Sequence, residues 1–188
     1  MMENRTKMLL SLSLVALFAA LTAAGTFISI PLPFSPVPVV LQNMFALLSG
    51  MILGPLMGSA ATAVYLIIGA LGAPVFAGAK GGFAIFLGPT GGYLLGYLLA
   101  SLIAGLIVGS PRTHEGTNWV RIILAALAGI IVIYIPGLLR LNMVMNGNWA
   151  KTFTAGLIPF ILGDLVKGAV ACLITPRLRS LISDIYHA

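Results

Sequence analysis

Charge is scarce in this 188-residue chain: Asp, Glu, Lys and Arg make up 7% of it, against about 25% in an ordinary soluble domain. With 60% hydrophobic residues and a mean hydropathy of +1.10, that scarcity excludes a soluble globular protein. It excludes a disordered chain too, since disorder needs charge and few apolar side chains. Acids are scarcest, numbering four, and Glu3, Glu115 and Asp184 fall in polar ends or loops. Asp164 alone lies within an apolar run. Proton relays through membranes chain several such groups, so a self-powered pump is disfavoured. The single cysteine, Cys172, cannot form an intrachain disulfide. The two histidines, His114 and His187, sit in polar segments, so a buried zinc or haem site has no ligands and no metal or cofactor is expected. H-E-x-x-H, G-x-S-x-G and paired intramembrane aspartates are all missing, which leaves an enzyme without nucleophile or base. The glycine-rich stretch 72–93 lacks the phosphate-cradling G-x-x-x-x-G-K-[ST] pattern, because Lys80 is followed by Gly81 and Gly82. The surplus of six positive charges is scattered singly, with no basic patch of interleaved aromatics, and so points away from nucleic acid.

What is present is a series of long apolar runs. A spanning helix needs about 20 mostly apolar residues, and six candidates follow along the chain: 8–26, 37–53, 56–71, 91–108, 119–135 and 153–174. They predict an all-α integral membrane protein, a six-helix bundle forming one domain over 1–188, with no room for a soluble domain. The basic residues set its orientation. Arg5, Lys7, Arg112, Arg121, Arg177 and Arg179 fall on the side of the termini, and Lys80, Arg140 and Lys151 on the other. The imbalance puts both termini in the cytoplasm of a multi-pass cell-membrane protein. Arg5, Lys7, the run Met8–Ala20 and Thr22-Ala23-Ala24 also resemble a cleavable signal peptide, but the run is longer than such segments usually are.

Asp164 and Lys167 are the sharpest chemical signal. They lie three apart inside the last apolar run, and therefore on one helix face. A charge at the bilayer centre costs about 2.5–3.5 kcal/mol on the insertion scale, so neither is retained without compensation. The bland alternative is a structural ion pair. The functional one is an anionic acceptor beside a cationic donor at the bottom of a cavity, with Gly163 and Gly168 clearing space around them. Prolines at 31, 33, 36 and 38 predict an extended or polyproline-like loop folded over the helix ends. Gln42 and Asn43 are adjacent amides in the next apolar run, suited to interhelical hydrogen bonds or to a ligand. Lys80, alone among glycines, suits a substrate carboxylate or simple solvation, and Tyr93 a ligand or the interfacial belt. Two small-residue stripes at four-residue spacing, Ala16-Ala20-Ala24 and Gly92-Gly96-Ala100-Ala104, permit close helix approach, within the bundle or to a partner.

Taken together, Ile30-Pro-Leu-Pro-Phe-Ser-Pro-Val-Pro with Leu41-Gln-Asn-Met, Pro74-Val-Phe-Ala-Gly, Gly88-Pro-Thr-Gly-Gly-Tyr and Pro159-Phe-Ile-Leu-Gly-Asp-Leu-Val-Lys resemble one family. It is the biotin-specific substrate-binding membrane component of the energy-coupling-factor vitamin transporters. The resemblance implies a six-helix bundle with extended outward loops capping a biotin cavity. Asp164 and Lys167 match that family's ligand-facing pair, and Asn43, Lys80 and Tyr93 fall in its pocket motifs. Ala16, Ala20 and Ala24 resemble its docking stripe for a transmembrane coupling subunit, which two cytoplasmic ATPases drive. One departure is Lys80, where the family often carries a basic residue of another kind; Lys replaces Arg as a charge but not as a bidentate fork. Biotin's ureido ring presents two N–H donors and a carbonyl, its sulfur ring and chain need apolar walls such as Phe34, Phe76, Phe83 or Tyr93, and its carboxylate needs a cation. A solitary carrier working without ATPases is the alternative reading.

Overall fold

The structure is a computed structural model that describes residues 2–111 and 118–187, with side chains described for 5–111 and 118–184. Arg112, His114 and Glu115 lie outside the described residues, as do the side chains of Glu3 and His187. The element order is α1 (Met2–Ala24), β1 (Ser29–Leu32), β2 (Ser35–Val40), α2 (Gln42–Leu53), α3 (Pro55–Ala70), α4 (Ala84–Leu87), α5 (Gly91–Val108), α6 (Trp119–Val144), α7 (Trp149–Gly156) and α8 (Ile158–His187). Among the described residues, four stretches are long and apolar enough to cross a membrane: Arg5–Ala24, Gly91–Val108, Trp119–Val144 and Trp149–Asp184. The helices α2 and α3 are apolar but shorter, at 12 and 16 residues.

Three expectations are corrected. First, the proline-rich segment, expected as an extended loop, is an antiparallel hairpin in an otherwise mostly helical chain, pairing Ser29 with Val40, Ile30 with Val39 and Leu32 with Ser35. Pro31 in β1 and Pro36 and Pro38 in β2 alternate with the paired residues and so turn their missing donors to the side a two-stranded hairpin leaves unpaired, while Pro33 sits in the turn. The run expected to be helical from Val37 therefore starts as strand, and α2 begins at Gln42. Second, α6 does not stop at Ile135 but carries Pro136 within it to Val144. Membrane helices tolerate such prolines because neighbouring elements re-satisfy the freed groups, and α5 comes close here: a Cβ on Gly92 would lie 2.0 Å from the Pro136 carbonyl oxygen. Third, the last run divides at Leu157 into α7 and α8, with Pro159 in the first turn of α8, where a missing donor is harmless.

Local signals set the remaining boundaries. Asn118 and Asn148 cap α6 and α7, each side chain accepting from the backbone N–H three residues on, at 3.1 and 3.0 Å. Gly54, at φ +83°, turns the chain between α2 and α3, and Pro55 opens α3. Chain alternation places the Gly54 turn, residue 109, the start of α6 and the end of α8 at one end of the bundle. The hairpin, the 71–90 connection and α7 lie at the other. Arg179 Nη1 ties that first end together, donating to the carbonyls of Met51 at 2.9 Å and Gly109 at 2.8 Å. α1 packs against α3, with Phe18, Ala19 and Thr22 buried.

Candidate functional site

The hairpin end encloses a cavity of about 400 Å³, within the range of small-molecule sites. The hairpin supplies one wall (Pro36, Val37 and Pro38), the 76–90 segment another (Phe76, Lys80, Ile85 and Thr90), and α5 the inner face (Tyr93, Leu94 and Tyr97). Phe76 is seated where α3 has no side chain: a Cβ on Gly69 would lie 2.2 Å from its ring. Its ring meets Tyr65 and Phe86 edge-on, each at 5.6 Å. Below the cavity is a pocket of about 30 Å³, lined by Asn43, Tyr134, Phe160, Asp164 and Lys167. Val37, Pro38, Val40, Tyr93 and Tyr97 line both spaces, so the small pocket is the polar floor of the large one.

That floor is assembled from helices distant in sequence. Asp164 and Lys167 stand in the second and third turns of α8, with 2.8 Å between Lys167 Nζ and Asp164 Oδ1. From the start of α2, Asn43 Nδ2 donates to Asp164 Oδ1 at 2.8 Å while its Oδ1 accepts from Lys167 Nζ at 3.2 Å. From α6, the Tyr134 hydroxyl donates to Asp164 Oδ2 at 2.6 Å. Lys167 also donates to the Val40 carbonyl at the end of β2, at 2.6 Å. Each buried charge is thus held by an opposite charge and by neutral hydrogen-bond partners, as retention in an apolar bundle requires. Capacity remains on the floor: Oδ2 of Asp164 has accepted one bond, and Asn43 has used one of its two amide hydrogens. The floor can therefore accept from a ligand N–H and donate to a ligand carbonyl.

The structure brings Asp164, Lys167, Asn43 and Tyr93 together around the two connected spaces. The Tyr93 hydroxyl is committed to the Gly156 carbonyl at 2.8 Å, so its ring is what it offers a ligand. Gln42 lines the large cavity, but its Nε2 donates to the Val75 carbonyl at 2.8 Å and to the Thr26 hydroxyl, away from the Asp164 network. Lys80 stands exposed at the mouth and lines the cavity. Phe34, expected as an apolar wall, is 63% exposed near the hairpin tip and lines neither space; Phe83 is 68% exposed and also lines neither. Gly168 accommodates Ile130 of α6 instead of clearing space for a ligand.

Tyr134 and Tyr97 were not evident from sequence. Both are tyrosines in apolar helices, where a belt role is the ordinary reading, and only their position against Asp164 and the cavity distinguishes them. The stripes also separate: Ala16, Ala20 and Ala24 are exposed on the outside of α1, whereas Gly92 and Gly96 pack against Pro136 and Ile133 of α6. Among the described residues, no group of three His, Cys, Asp or Glu side chains is placed to hold a metal.

Several apolar helices, and a cavity at one end of their bundle with a charged floor, define a multi-pass membrane protein built to hold a small ligand. Residues 2–184 match the BioY family model. The chain belongs to the BioY family. It is 45% identical over 167 residues to the probable biotin transporter BioY of Pyrococcus horikoshii, covering 89% of this chain and 94% of that one. It is 41% identical over 165 residues to the biotin transporter BioY of Thermotoga maritima, covering 88% and 93%. A crystal structure of the S-component for biotin from an ECF-type ABC transporter matches with a TM-score of 0.81 at 32% identity, over 90% of each chain.

Proposed function

We propose that this chain is the biotin-binding membrane component of an ATP-driven, energy-coupling-factor type importer, and so a transport protein rather than an enzyme. The observation that carries the reading is the Asp164–Lys167–Asn43–Tyr134 floor beneath an aromatic cavity of about 400 Å³. A ureido ring is complementary to that floor, its N–H groups directed to Asp164 and its carbonyl to the remaining amide hydrogen of Asn43, since the three Lys167 hydrogens are taken by Val40, Asn43 and Asp164. The sulfur ring and aliphatic chain then run past Val37, Phe76, Tyr93 and Tyr97, and the carboxylate reaches Lys80 at the mouth.

The membrane arrangement follows the same logic. We take α1, α2, α3, α5, α6 and α8 as the six spans, with the termini cytoplasmic and the cavity opening outward. Lys80, Arg140 and Lys151 then lie on the outer side, and Arg5, Lys7, Arg121, Arg177 and Arg179 on the inner. The hairpin and β2 extend the short α2 across the remaining thickness. The exposed Ala16, Ala20 and Ala24 form a face on which a coupling-subunit helix packs closely, and two ATPases drive that subunit. A solitary carrier shares every feature of the cavity and differs only in needing no such partner.

Proteoliposome uptake separates the two. The chain with coupling subunit and ATPases is expected to accumulate biotin only with ATP, and Ala20→Leu to abolish accumulation while leaving biotin affinity intact. Uptake by the chain alone, insensitive to ATP and to Ala20→Leu, would establish the solitary carrier.

A further inference from the structure

The cavity wall formed by residues 73–90 is fastened very differently at its two ends. It begins at Val75, whose carbonyl accepts from Gln42 Nε2 at 2.8 Å and from the Thr26 hydroxyl. Gln42 and Thr26 are 1% and 3% exposed, and Phe76 beside them is 1% exposed, so this end is anchored in the core. It ends at Leu87, whose carbonyl accepts from Arg140 Nη2 of α6. Between these points the chain carries the Phe76–Lys80 bridge, the Gly82 bond to the Gly69 carbonyl and the single turn α4, in which no residue is fully buried and Phe86 alone meets the buried Phe76 ring edge-on. The stem of Arg140 is fixed in the seam between α5 and α6, its Cβ 2.7 Å from where a Cβ on Gly92 would stand. Its Nε is buried with no hydrogen-bond acceptor among the described residues. The guanidinium is therefore not the freely solvated outer charge that its sequence position suggests. It reaches across to a backbone carbonyl of the wall although that leaves one of its own donors unsatisfied.

We propose that Arg140 is the latch of this wall: a positioning residue that holds 84–90 against the bundle and sets how long a ligand stays in the cavity. Ile85, Gly88, Pro89 and Thr90 line the cavity, so displacing this stretch opens it between α4 and the hairpin. The Val75 end is the hinge and the Leu87 end is the part that lifts. Arg140 does not line either space and acts through the wall alone. The proposal rests on the biotin reading for its kinetic probe and not for its structural one.

The test uses the full chain in nanodiscs, as wild type, Arg140→Gln, Arg140→Lys and the charge control Arg121→Gln at the opposite end. Amide hydrogen exchange is expected to quicken over 84–90 in Arg140→Gln and to stay slow at Gly82, whose N–H is held by the Gly69 carbonyl at 2.7 Å. Biotin dissociation is expected to speed up by about tenfold or more with association changed by less than about threefold, equally for biotin and its methyl ester. Arg140→Lys, which keeps a donor for Leu87, restores part of both effects, and Arg121→Gln shows neither. Unchanged exchange over 84–90 in Arg140→Gln overturns the latch. So does a loss confined to the association rate of biotin and absent with the ester, which is the signature of a distant charge. If the wild type binds no biotin, the functional reading fails and hydrogen exchange alone still decides the latch. If Arg140→Gln does not fold, the exchange of Arg140→Lys decides it, with faster opening over 84–90 expected.

Discussion

The two halves of the bundle bury different kinds of core. Toward the Gly54 turn the core is aliphatic, built on Leu47, Met51, Ile52, Ala104, Ile122, Ala125 and Ala171, with Phe18 as its buried ring. Here backbones nearly touch. A Cβ on Gly50 would lie 2.0 Å from the Ser101 carbonyl oxygen, and one on Gly105 2.5 Å from Pro55 N. The Ser49 hydroxyl of α2 bonds to those of Thr62 in α3 and Ser101 in α5, all three 0% exposed. Toward the hairpin the core holds Tyr65, Phe76, Tyr93, Tyr97, Tyr134 and Phe160, and all of these rings but Tyr65 stand around open space. Small residues let helices meet in both halves, α5 touching α6 at Gly92 and Gly96 as α2 touches α5 at Gly50, but only in the hairpin half do rings hold a cavity open beside the contact. Without the first, the second would have no rigid frame. Without the second, the charged pair would have no cavity to serve.

That division can be broken from either side. The largest expected effect is at the floor: Asp164→Asn leaves Lys167 buried without a counter-charge. It is expected to lower stability by about 3–5 kcal/mol, read as melting temperature in detergent, and to abolish biotin binding. Next, Tyr134→Phe removes one hydrogen bond to the same carboxylate, a loss of about 1.5–3 kcal/mol. Calorimetric titration should show biotin affinity falling with stability. In the aliphatic half, Gly50→Ala forces α2 away from α5 and is expected to cost about 1–3 kcal/mol of stability by overpacking. The folded fraction should bind biotin with unchanged affinity; an affinity loss as large as that of Tyr134→Phe would erase the distinction between the halves. The smallest effect is at the rim. Lys80→Ala removes an exposed charge, worth up to about 1 kcal/mol, so affinity for biotin drops by about fivefold or less, that for the methyl ester stays constant, and the melting temperature does not move. Equal losses for acid and ester would remove Lys80 from the carboxylate.

The parts legible in sequence were those written in local contrast. Two charges three apart in an apolar run stand out wherever the chain folds, and Gly91–Val108 matched its helix at both ends because glycine and apolar runs bound it sharply. The hairpin was hidden because prolines argue against strands in general, and only their places, Pro31, Pro36 and Pro38 on the unpaired side and Pro33 in the turn, permit one here. Pro136 misled for the opposite reason: it stops helices in water but not in a bundle where α5 presses against it. Tyr134 depends on a contact 30 positions away in the chain, and Arg140 on a backbone carbonyl 53 positions away, relations that no local pattern encodes. Gln42 and Asn43 are adjacent and chemically alike, yet α2 turns one toward Val75 and the other toward Asp164. Only the helix phase at the end of β2 separates a fastening role from a place on the floor.

The most direct test of the ligand site compares the thermal stabilisation given by biotin to the wild type and to Asp164→Asn. At a hundred times its dissociation constant, biotin is expected to add about 2.7 kcal/mol to the wild type and nothing measurable to the variant. Equal stabilisation of both proteins, or none of the wild type, would contradict a biotin site built on Asp164.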